Sequence, residues 1–351
     1  MVTATGRLAP GQDQEGGHRH LTVLEGWRQF LTHAPSPPVL LTDQARATLG
    51  EDDRLSYDDK RLDYHIRLAI VETPVLREVL RAGRLLTLLN RHATSARRGL
   101  ILSGPAGTGK TTAITQFGKR HEVIDQRQHP TALPGTRIPV VYVTVPPAAT
   151  PRMLAVEFAR FLGLPITSRA NMTDVIEAVC GVLIDCHASL VVCDEIHNLQ
   201  LATRNGGEVS DTLKYFSERI PATFVYAGID VDREGLFTGT RGQQIAGRFS
   251  LISTVPFDYT ADWRSTVATF DTALLLHRHR PGALAALDRY LHQRTGGMIG
   301  SLSHLIRGAA VQAILTGTEQ ITRQALAAIT LDHAAERQEL KARTRRPAGP
   351  S

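Results

Sequence analysis

The stretch GPAGTGKT, Gly104 to Thr111, decides the fold, because it fits the pattern G-x-x-x-x-G-K-[ST] in full. A short apolar run, Leu100 to Leu102, precedes it, and the sequence TTAITQFGKRH that follows is typical of a helix. A glycine-rich turn in this context points backbone N–H groups and the positive end of the helix at phosphate oxygens. A chance glycine-rich turn would not need a strand before it and a helix after it. The sequence therefore predicts a phosphate-binding loop.

Two side chains of this loop have predicted roles in nucleotide chemistry. Lys110 is expected to reach the β- and γ-phosphates, and the hydroxyl of Thr111 is expected to hold magnesium. The residues predicted to bind the nucleotide are Gly104, Pro105, Ala106, Gly107, Thr108, Gly109, Lys110, Thr111 and Thr112. The predicted ligands are ATP and Mg²⁺.

An acidic box follows further along the chain, in the sequence VVCDEIHNL, Val191 to Leu199. Its apolar run is typical of a buried strand that ends in two acids. Asp194 is predicted to complete the magnesium site with Thr111, and Glu195 to polarise the attacking water. Two acids can follow an apolar strand by chance, but a complete phosphate loop upstream favours the catalytic interpretation.

Strand and helix patterns alternate around these motifs. Strands are predicted near residues 100–102, 139–145, 190–193 and 222–227, with helices between them. Alternation of this kind predicts an α/β fold with a parallel, doubly wound sheet. After Phe257 the strand patterns stop. The helices predicted there span about 261–277, 282–293, 299–315 and 323–341.

These patterns divide the chain into five predicted regions. We expect a P-loop NTPase whose parallel sheet core is followed by a C-terminal helical lid domain. The regions are a disordered tail (1–20), an N-terminal helical extension (21–95), the α/β ATPase core (96–258), the helical lid (259–335) and a basic tail (336–351).

Composition narrows the class of protein. The 351 residues carry a formal net charge of +6, which permits nucleic-acid binding, although abundant Arg, Ala and Gly also fit a GC-rich genome. The three cysteines have no CxxC spacing, which argues against a disulfide framework or a zinc site. The first twenty residues contain no apolar block of signal-peptide length, and no stretch of the sequence approaches the length of a membrane span. We expect a soluble cytoplasmic protein that does not bind membranes.

The letters DEIH also occur in helicases. A helicase of that type needs a second α/β domain that carries an arginine-rich box, and the sequence QQIAGRF, Gln243 to Phe249, faintly resembles one. No second set of strand patterns follows it. This favours one ATPase core with a lid, in which His197 is a structural or coupling residue.

Five stretches together resemble an AAA+ ATPase and, more narrowly, the TniB family of transposition regulators, which is related to TnsC and more distantly to IstB and MuB. The resemblance covers about residues 55 to 335. The stretches are GPAGTGKTT, IPVVYVTVPP, DEIHNL, GRF and GGMIGSLSHLIR. The phosphate loop is common to many families, whereas DEIHNL combined with the glycine-punctuated lid motif is fairly specific.

The resemblance implies an activity. Such proteins bind ATP, oligomerise on duplex DNA without reading its sequence, as a ring or a filament, and recruit or activate a DDE-type transposase. ATP hydrolysis then turns the assembly over. The resemblance also implies that Arg248 is an arginine finger that acts on ATP bound by a neighbouring subunit, with Arg241 as its rival. A structural ion pair is the alternative for Arg248.

The sequence departs from the AAA+ pattern at two places. The fourth predicted strand ends in YAGID, where Ala227 and Gly228 offer no polar sensor, so Asp230 is the remaining candidate. The lid motif GGMIGSL has no arginine for the γ-phosphate, and Arg307 lies further along the same helix. Both departures predict slow hydrolysis, which suits a switch better than a motor.

Other functions stay open from the sequence alone. A helicase loader of the IstB or DnaC kind and a nucleotide-switched signalling ATPase share these motifs, whereas a metabolic kinase would need an acceptor pocket that the sequence does not indicate. The residues available for DNA phosphates, or for a solvated surface, are Arg204, Asn205, Arg219, Arg233, Arg241, Arg343, Arg345 and Arg346.

Overall fold

The computed structural model describes residues 19–32, 36–68, 70–133, 135–167, 169–199, 204–231 and 247–331. Within them, five strands form one sheet: β1 (Gly99–Ser103), β2 (Val140–Thr144), β3 (Leu190–Asp194), β4 (Thr223–Gly228) and β5 (Phe249–Ser253). The strand order is β2-β3-β4-β1-β5, and every pairing is parallel. The predicted parallel α/β sheet is confirmed.

Helices cover the sheet and continue beyond it. The described α-helices are α1 (Leu24–Thr32), α2 (Asp43–Ala47), α3 (Glu51–Ile66), α4 (Pro74–Leu89), α5 (Lys110–Gln128), α6 (Pro151–Phe161), α7 (Met172–Asp185), α8 (Arg204–Arg219), α9 (Ala261–Ala273), α10 (Asp288–Thr295), α11 (Ile299–Leu315) and α12 (Arg323–Ala328). Short 3₁₀ turns occur at Asn90–His92, Ile196–Asn198 and Ala285–Leu287. None of the helices in the described ranges has the length and hydropathy to cross a bilayer.

The sequence prediction missed one strand, β5. It pairs with β1 along its whole length, from Gly99 opposite Phe249 to Ser103 opposite Ser253. Of its five residues only Ile252 is buried, whereas four of the five residues of β2, at the other edge of the sheet, are buried. A strand with one buried residue lacks the continuous apolar run by which buried parallel strands are recognised. Its effect is to bring residue 254 beside the phosphate loop.

The link between α3 and α4 also differs from the prediction. The residue pattern predicts a helix that begins at Ser56 and continues through Val71, but α3 spans Glu51–Ile66. The described residues between α3 and α4 are non-helical. Helix α4 begins where Thr73 and Pro74 predict a helix start: the Thr73 hydroxyl accepts from the Leu76 amide at 3.2 Å, and Pro74 occupies the first helical position. The residue before a proline avoids the helical region, which separates the two helices.

The N-terminal helices divide between two hydrophobic cores. Trp27 of α1 and the apolar face of α4 pack into the core that contains the sheet, whereas Leu62 and Leu68 pack into the core of the C-terminal helices. The predicted helical C-terminal region is confirmed, and it holds α3 as well. The predicted domain boundaries themselves stay a prediction.

A buried ion pair fixes α3 to the C-terminal helices. The two terminal nitrogens of the Arg61 guanidinium, Nη1 and Nη2, each donate to the carboxylate of Glu319 at 2.8 Å. Arg46 adds a third contact to this carboxylate at 2.9 Å. Arg61 and Glu319 are almost completely buried. Burial alone raises the pKa of Glu319, but the hydrogen bonds and charge of Arg61 outweigh it and hold that pKa below its usual value.

Three C-terminal helices are shorter than predicted. Helix α10 spans Asp288–Thr295 rather than about 282–293, because a 3₁₀ turn, Ala285–Leu287, precedes it. Helix α9 ends at Ala273 rather than near residue 277, where the Asp271 carboxylate accepts from the Leu284 amide at 2.7 Å and turns the chain. Helix α12 ends at Ala328, and the rest of the predicted helix, from residue 332, lies outside the described residues. Helix α11 matches its predicted span.

Candidate nucleotide-binding site

The phosphate loop connects β1 to α5, as predicted, and its glycines have a structural cause. Gly104, Gly107 and Gly109 have φ angles of +149°, +78° and +87°, which side chains disfavour. At Gly104 an added Cβ would also lie 2.0 Å from the carbonyl oxygen of Thr254. The loop therefore closes against the residue that follows β5.

Thr254 is a site residue that the sequence did not reveal. Its amide donates to the Ser103 carbonyl at 2.7 Å, and its hydroxyl lies 2.7 Å from the hydroxyl of Thr108. Thr108 in turn donates to the Pro105 carbonyl at 2.8 Å. Both threonines are buried, so these hydrogen bonds hold the phosphate loop against the residue that follows β5. No local signal indicated Thr254, since its position depends on the pairing of β5 with β1.

Lys110 lies at the start of α5 with its ammonium group inside the loop. Its Nζ donates to the carbonyls of Gly104 and Pro105, each at 2.7 Å. Burial lowers its pKa, and the charges of Asp194, Glu195 and Asp230 oppose that shift. The lysine thus faces the acids of β3 and β4.

Asp194 ends β3 and contacts the loop directly. Its Oδ2 accepts from the Thr111 hydroxyl at 2.8 Å and from the Tyr142 hydroxyl at 3.0 Å, and its Oδ1 accepts from the Glu195 amide at 2.9 Å. The carboxylate is buried. Burial, followed by the charge of Asp194, raises the pKa of Tyr142, which stays a donor. Tyr142 belongs to the stretch IPVVYVTVPP, but no sequence pattern predicts a role for it.

The Thr111 and Asp194 oxygens suit a hard divalent cation. Mg²⁺ takes oxygen ligands and is held in nucleotide sites by one or two protein groups together with phosphates. The Thr111 Oγ1 and Asp194 Oδ2 atoms are already 2.8 Å apart beside the phosphate loop. These residues therefore fit the predicted metal.

Glu195 is held by an unusual backbone and by His197. Its φ and ψ of 57° and 35° are left-handed, a conformation that costs a non-glycine residue about 1–3 kcal/mol. The Ile229 amide donates to His197 Nδ1 at 3.2 Å, so the neutral ring carries its hydrogen on Nε2. That atom lies 3.3 Å from Glu195 Oε2. His197 thus connects Glu195 to the end of β4.

The end of β4 has no room for a polar sensor side chain. A Cβ at Gly228 would lie 2.8 Å from methyl carbons of Ile196 and Val231 and 3.0 Å from the His197 amide nitrogen. The 3₁₀ turn that contains His197 therefore packs where such a side chain would stand. Asp230, the remaining candidate, acts on Lys110 through its charge.

A cavity of about 480 Å³ extends from the phosphate loop toward α11. Near the loop it is lined by the residues already described. At its other end the lining is mainly apolar, from Leu68, Ile70, Val71 and Phe270. A ligand with phosphates at one end and a flat, largely apolar group at the other matches this distribution.

Helix α11 closes one side of this cavity. The Gly300 amide donates to the Gly107 carbonyl at 2.9 Å, so the helix begins against the loop. Ser303 and Arg307 follow along the same side and line the cavity. Arg307, which the sequence could not orient, therefore faces the cavity and also donates to the Ile66 carbonyl.

Arg248 lies at the amino-terminal end of the strands, whereas the phosphate loop lies at their carboxyl-terminal end. Its carbonyl accepts from the Gly99 amide at 3.0 Å, at the beginning of β1, and its guanidinium lies 3.3 Å from Glu218. This is the ion pair that the sequence had left as an alternative. Both side chains are more than a third exposed, so the pair is weak and exchangeable. The rival, Arg241, lies outside the described residues.

The residues named for DNA binding are scattered. Arg219 pairs with Glu177 at 2.5 Å and stacks over Tyr215. Arg204 and Asn205 begin α8. The others, Arg233, Arg241, Arg343, Arg345 and Arg346, lie outside the described residues.

Comparison with known families gives one match that spans the site. A family model described as TniB, Bacterial TniB protein, matches residues 64–259, more than half of the chain. The match contains the phosphate loop, the acidic box and Arg248. No curated protein sequence matches the chain.

Solved structures share the fold at low identity. The ORC1 protein of Aeropyrum pernix in complex with DNA is 15% identical, with a TM-score of 0.55 over 76% of this chain and 66% of that one, just under two thirds. The ADP form of Aeropyrum pernix ORC2 is 18% identical, with a TM-score of 0.57 over 74% of this chain and 70% of that one. The Cdc6p of Pyrobaculum aerophilum is 15% identical, with a TM-score of 0.50 over 73% and 66%. The fold is that of the AAA+ P-loop ATPases.

Proposed function

This chain belongs to the TniB family of bacterial proteins, and on that premise we propose that it is an ATP-dependent, DNA-binding regulator of transposition. It binds and hydrolyses ATP, oligomerises on duplex DNA as a ring or filament, and recruits or activates a DDE-type transposase. It acts in the cytoplasm.

The contact between Thr111 and Asp194, with Lys110 and Glu195 beside it, carries the ATPase part of the proposal. Lys110 exchanges its loop carbonyls for the β- and γ-phosphates. Thr111 and Asp194 hold Mg²⁺, which neutralises phosphate charge when bound. Glu195 accepts a hydrogen bond from the attacking water and orients it toward the γ-phosphate. The glycine-rich backbone of residues 104–112 binds the phosphates.

His197 positions Glu195 in this scheme. A side chain on a left-handed backbone residue needs a second support to keep one rotamer, and the contact of 3.3 Å between His197 and Glu195 supplies it. Because His197 also accepts from the Ile229 amide, the orientation of Glu195 depends on the end of β4. In this protein His197 orients Glu195, a role that a polar sensor side chain at the position of Gly228 has in other proteins.

Arg248 completes the site of a neighbouring subunit. Its place at the far edge of the sheet separates it from its own phosphate loop by the length of β1. In an oligomer it leaves Glu218 and stabilises charge on the neighbour's γ-phosphate. Hydrolysis then depends on assembly.

Hydrolysis is slow, because both electrostatic groups differ from those of many AAA+ proteins. No polar sensor stands at Gly228, and the lid motif GGMIGSL has no arginine, so Arg307, further along α11, is the lid arginine that lines the cavity. Each properly aimed donor to a developing negative charge is worth about 100- to 1,000-fold in rate. A slow ATPase suits a protein that marks a target rather than moves along it.

DNA binding rests on charge and on the fold. The net charge of +6 favours phosphate contacts, and one structure with this fold is described as a complex with DNA. The contacts are made to the backbone, so they do not read sequence.

The test is binding to a long, sequence-neutral duplex at physiological salt, with ADP, ATP or a non-hydrolysable ATP analogue. Lys110→Ala is the matched control. We expect tight binding with ATP or the analogue only, lost in the variant. Addition of the transposase should then stimulate strand transfer next to the bound protein.

Binding that ignores the nucleotide, or no binding, would contradict the proposal. Stable association with a replicative helicase ring in the absence of a DNA assembly would favour the helicase-loader alternative. A partner kinase or receptor that responds to the nucleotide state would favour the signalling alternative.

A further inference from the structure

A second cavity, of about 530 Å³, opens at the amino-terminal edge of the sheet. The phosphate loop follows the carboxyl end of β1, so the two cavities lie at opposite ends of the parallel strands. We name the second one the basal cavity. Its walls come from α4, α5 and the residues that lead into β2, β3 and β4. Its principal lining residues are Arg84, Asn90, Arg91, His121, Asp125 and Arg137.

The lining of the basal cavity is polar. Apart from Ile124 and Pro221, every residue that lines it has a polar or charged side chain. The nucleotide cavity, by contrast, has an apolar end. A polar lining of this kind suits a ligand made of charged oxygen atoms and disfavours an apolar one.

Positive charge exceeds negative charge in the basal cavity. Arg137 donates to both carboxylate oxygens of Asp125, at 2.8 and 3.0 Å, which neutralises the cavity's single acid. Arg84 and Arg91 form no ion pair with any residue that the structure describes. Two guanidinium groups therefore face one cavity with their charges uncompensated.

A buried histidine adds an unsatisfied hydrogen-bonding atom. The Nε2 atom of His121 lies 2.8 Å from the Ser189 hydroxyl, whereas its buried Nδ1 has no partner among the described residues. Burial, above all, lowers the pKa of His121; with the opposing charge of Asp125 and the smaller lowering effects of Arg84 and Arg91, that pKa is about 4. The ring is therefore neutral at pH 7.

The helix ends nearby do not cancel the two arginines. Helix α4 ends at Leu89 and α5 at Gln128, both beside the cavity. The carboxyl end of a helix is equivalent to about half a negative charge. Two such ends offset about one of the two uncompensated positive charges, so the cavity stays positive.

We propose that the basal cavity is a second anion site, in which Arg84 and Arg91 clamp a phosphate group. Guanidinium groups present paired N–H donors that match phosphate oxygens. The phosphate belongs either to the DNA backbone or to a small phosphorylated molecule. The DNA source rests on the proposed function, whereas the small-molecule source does not.

The first arm of the test uses inorganic pyrophosphate as the probe. Binding is measured by calorimetry in a Lys110→Ala background, so that the phosphate loop does not contribute. We expect the double variant Arg84→Gln and Arg91→Gln to weaken binding at least about tenfold, since it removes two charge-assisted contacts. The matched control is Arg81→Gln, which removes an exposed charge from the same helix outside the cavity.

The second arm measures binding of a sequence-neutral duplex as a function of salt, in chains with an intact phosphate loop. Each lost phosphate contact reduces the slope of log K against log[salt] by about 0.9. We expect the double variant to reduce this slope by about 2 relative to Arg81→Gln if the phosphate belongs to DNA.

The two arms separate the possible results. Loss of pyrophosphate binding alone supports the small-molecule source, and a reduced salt slope supports the DNA source. If neither quantity differs between the double variant and Arg81→Gln, the second anion site is refuted even when the protein binds DNA. If no chain binds DNA but pyrophosphate binding depends on the two arginines, the proposed function fails and this site stands.

A measurement that leaves both arginines in place guards against misfolded variants. The NMR signals of the His121 ring, assigned by their loss in His121→Gln, should shift saturably when pyrophosphate is added to the Lys110→Ala protein, or when duplex DNA is added to the chain with an intact phosphate loop and a bound non-hydrolysable ATP analogue. Ring signals that stay unchanged with both probes would overturn the proposal.

Discussion

At the residue scale, His197 has the most specific environment in the nucleotide site. One ring nitrogen accepts from the Ile229 amide, and the other lies beside the Glu195 carboxylate. A histidine that only filled space would need neither contact. The two contacts can be removed separately. An asparagine at position 197 can replace the contact with the Ile229 amide, and a glutamine can replace the contact with Glu195.

We therefore predict different outcomes for three substitutions of His197. His197→Gln keeps a donor for Glu195, His197→Asn keeps an acceptor for Ile229, and His197→Phe keeps only the ring volume. With Asn and Phe we expect kcat for ATP hydrolysis to fall about 10- to 100-fold, as is typical when a supporting shell is lost, with KM nearly unchanged. His197→Gln should stay closest to the wild type. Steady-state ATPase assays on DNA give both constants.

Binding of a fluorescent ADP analogue is the control for His197. A residue that serves only the fold would change affinity and thermal stability together with kcat. If the wild type hydrolyses ATP and His197→Phe does so equally fast, His197 does not position Glu195. The proposal that the protein is an ATPase would then still stand.

Thr254 gives a second prediction at this scale. Thr254→Val keeps the shape of the side chain but removes the hydroxyl that meets Thr108 at 2.7 Å. We expect a loss of about 1 kcal/mol in the free energy of unfolding, because Thr108 keeps its bond to Pro105. Nucleotide affinity should fall several-fold as the loop loosens. Ser253→Ala, an exposed change one residue earlier, is the control, and an equal effect there would contradict the prediction.

At the scale of elements, α3 belongs with the C-terminal helices because of Arg61 and Glu319. Without Arg61, the buried carboxylate of Glu319 keeps Arg46 as a partner but loses two charged hydrogen bonds, and breaking a buried pair costs about 3–5 kcal/mol. We expect Arg61→Met to lower the free energy of unfolding by that amount in urea titrations. Lys60→Met, an exposed change on the same helix, should have little effect. Similar midpoints for the two variants would contradict this assignment.

The same pair makes stability depend on acid. The pKa of Glu319 is lowered in the folded chain, so the unfolded chain binds the proton more readily. The stabilisation is therefore complete above the ordinary pKa of a glutamate and is lost as pH falls through the lower, folded value. Melting temperatures measured between about pH 5 and pH 3 should fall more steeply for the wild type than for Glu319→Gln. Parallel curves would contradict the prediction.

At the scale of the whole molecule, the nucleotide cavity lies between the sheet and the unit formed by α3 and the C-terminal helices. The link between α3 and α4 lines one side of the cavity with Leu68, Ile70 and Val71. On another side, Gly300 of α11 contacts the phosphate loop. A bound nucleotide would contact both hydrophobic cores at once. Binding therefore can couple the relative position of the two cores to assembly.

Assembly itself gives a prediction for mixed subunits. Arg248→Ala keeps its own phosphate loop but offers no finger, and Lys110→Ala offers a finger but binds no ATP productively. We expect each variant alone to lose at least about 1,000-fold in kcat on DNA, and an equimolar mixture to recover part of the rate. Rates are compared at constant total protein. A mixture no faster than the sum of its parts would refute a finger acting in trans.

The elements that could be predicted are those written in contiguous sequence. The strand before the phosphate loop, the loop and the acidic strand each lie within about ten residues, and β1 to β4 have apolar runs that suffice to predict a parallel sheet. Edge strand β5 has one buried residue, so its sequence has no such run. The end of α3 was missed because the helical pattern continues in sequence after the helix has ended.

The sequence by itself determined that this chain has a phosphate loop, an acidic strand end and a parallel α/β core, because these depend on local patterns and on the backbone geometry of glycine. Only the tertiary structure decided which distant residues support them. Thr254 meets Thr108, His197 meets Ile229, and Arg61 meets Glu319 across long separations in the chain. Such contacts follow from strand order and helix packing, whose geometry no local pattern of residues encodes.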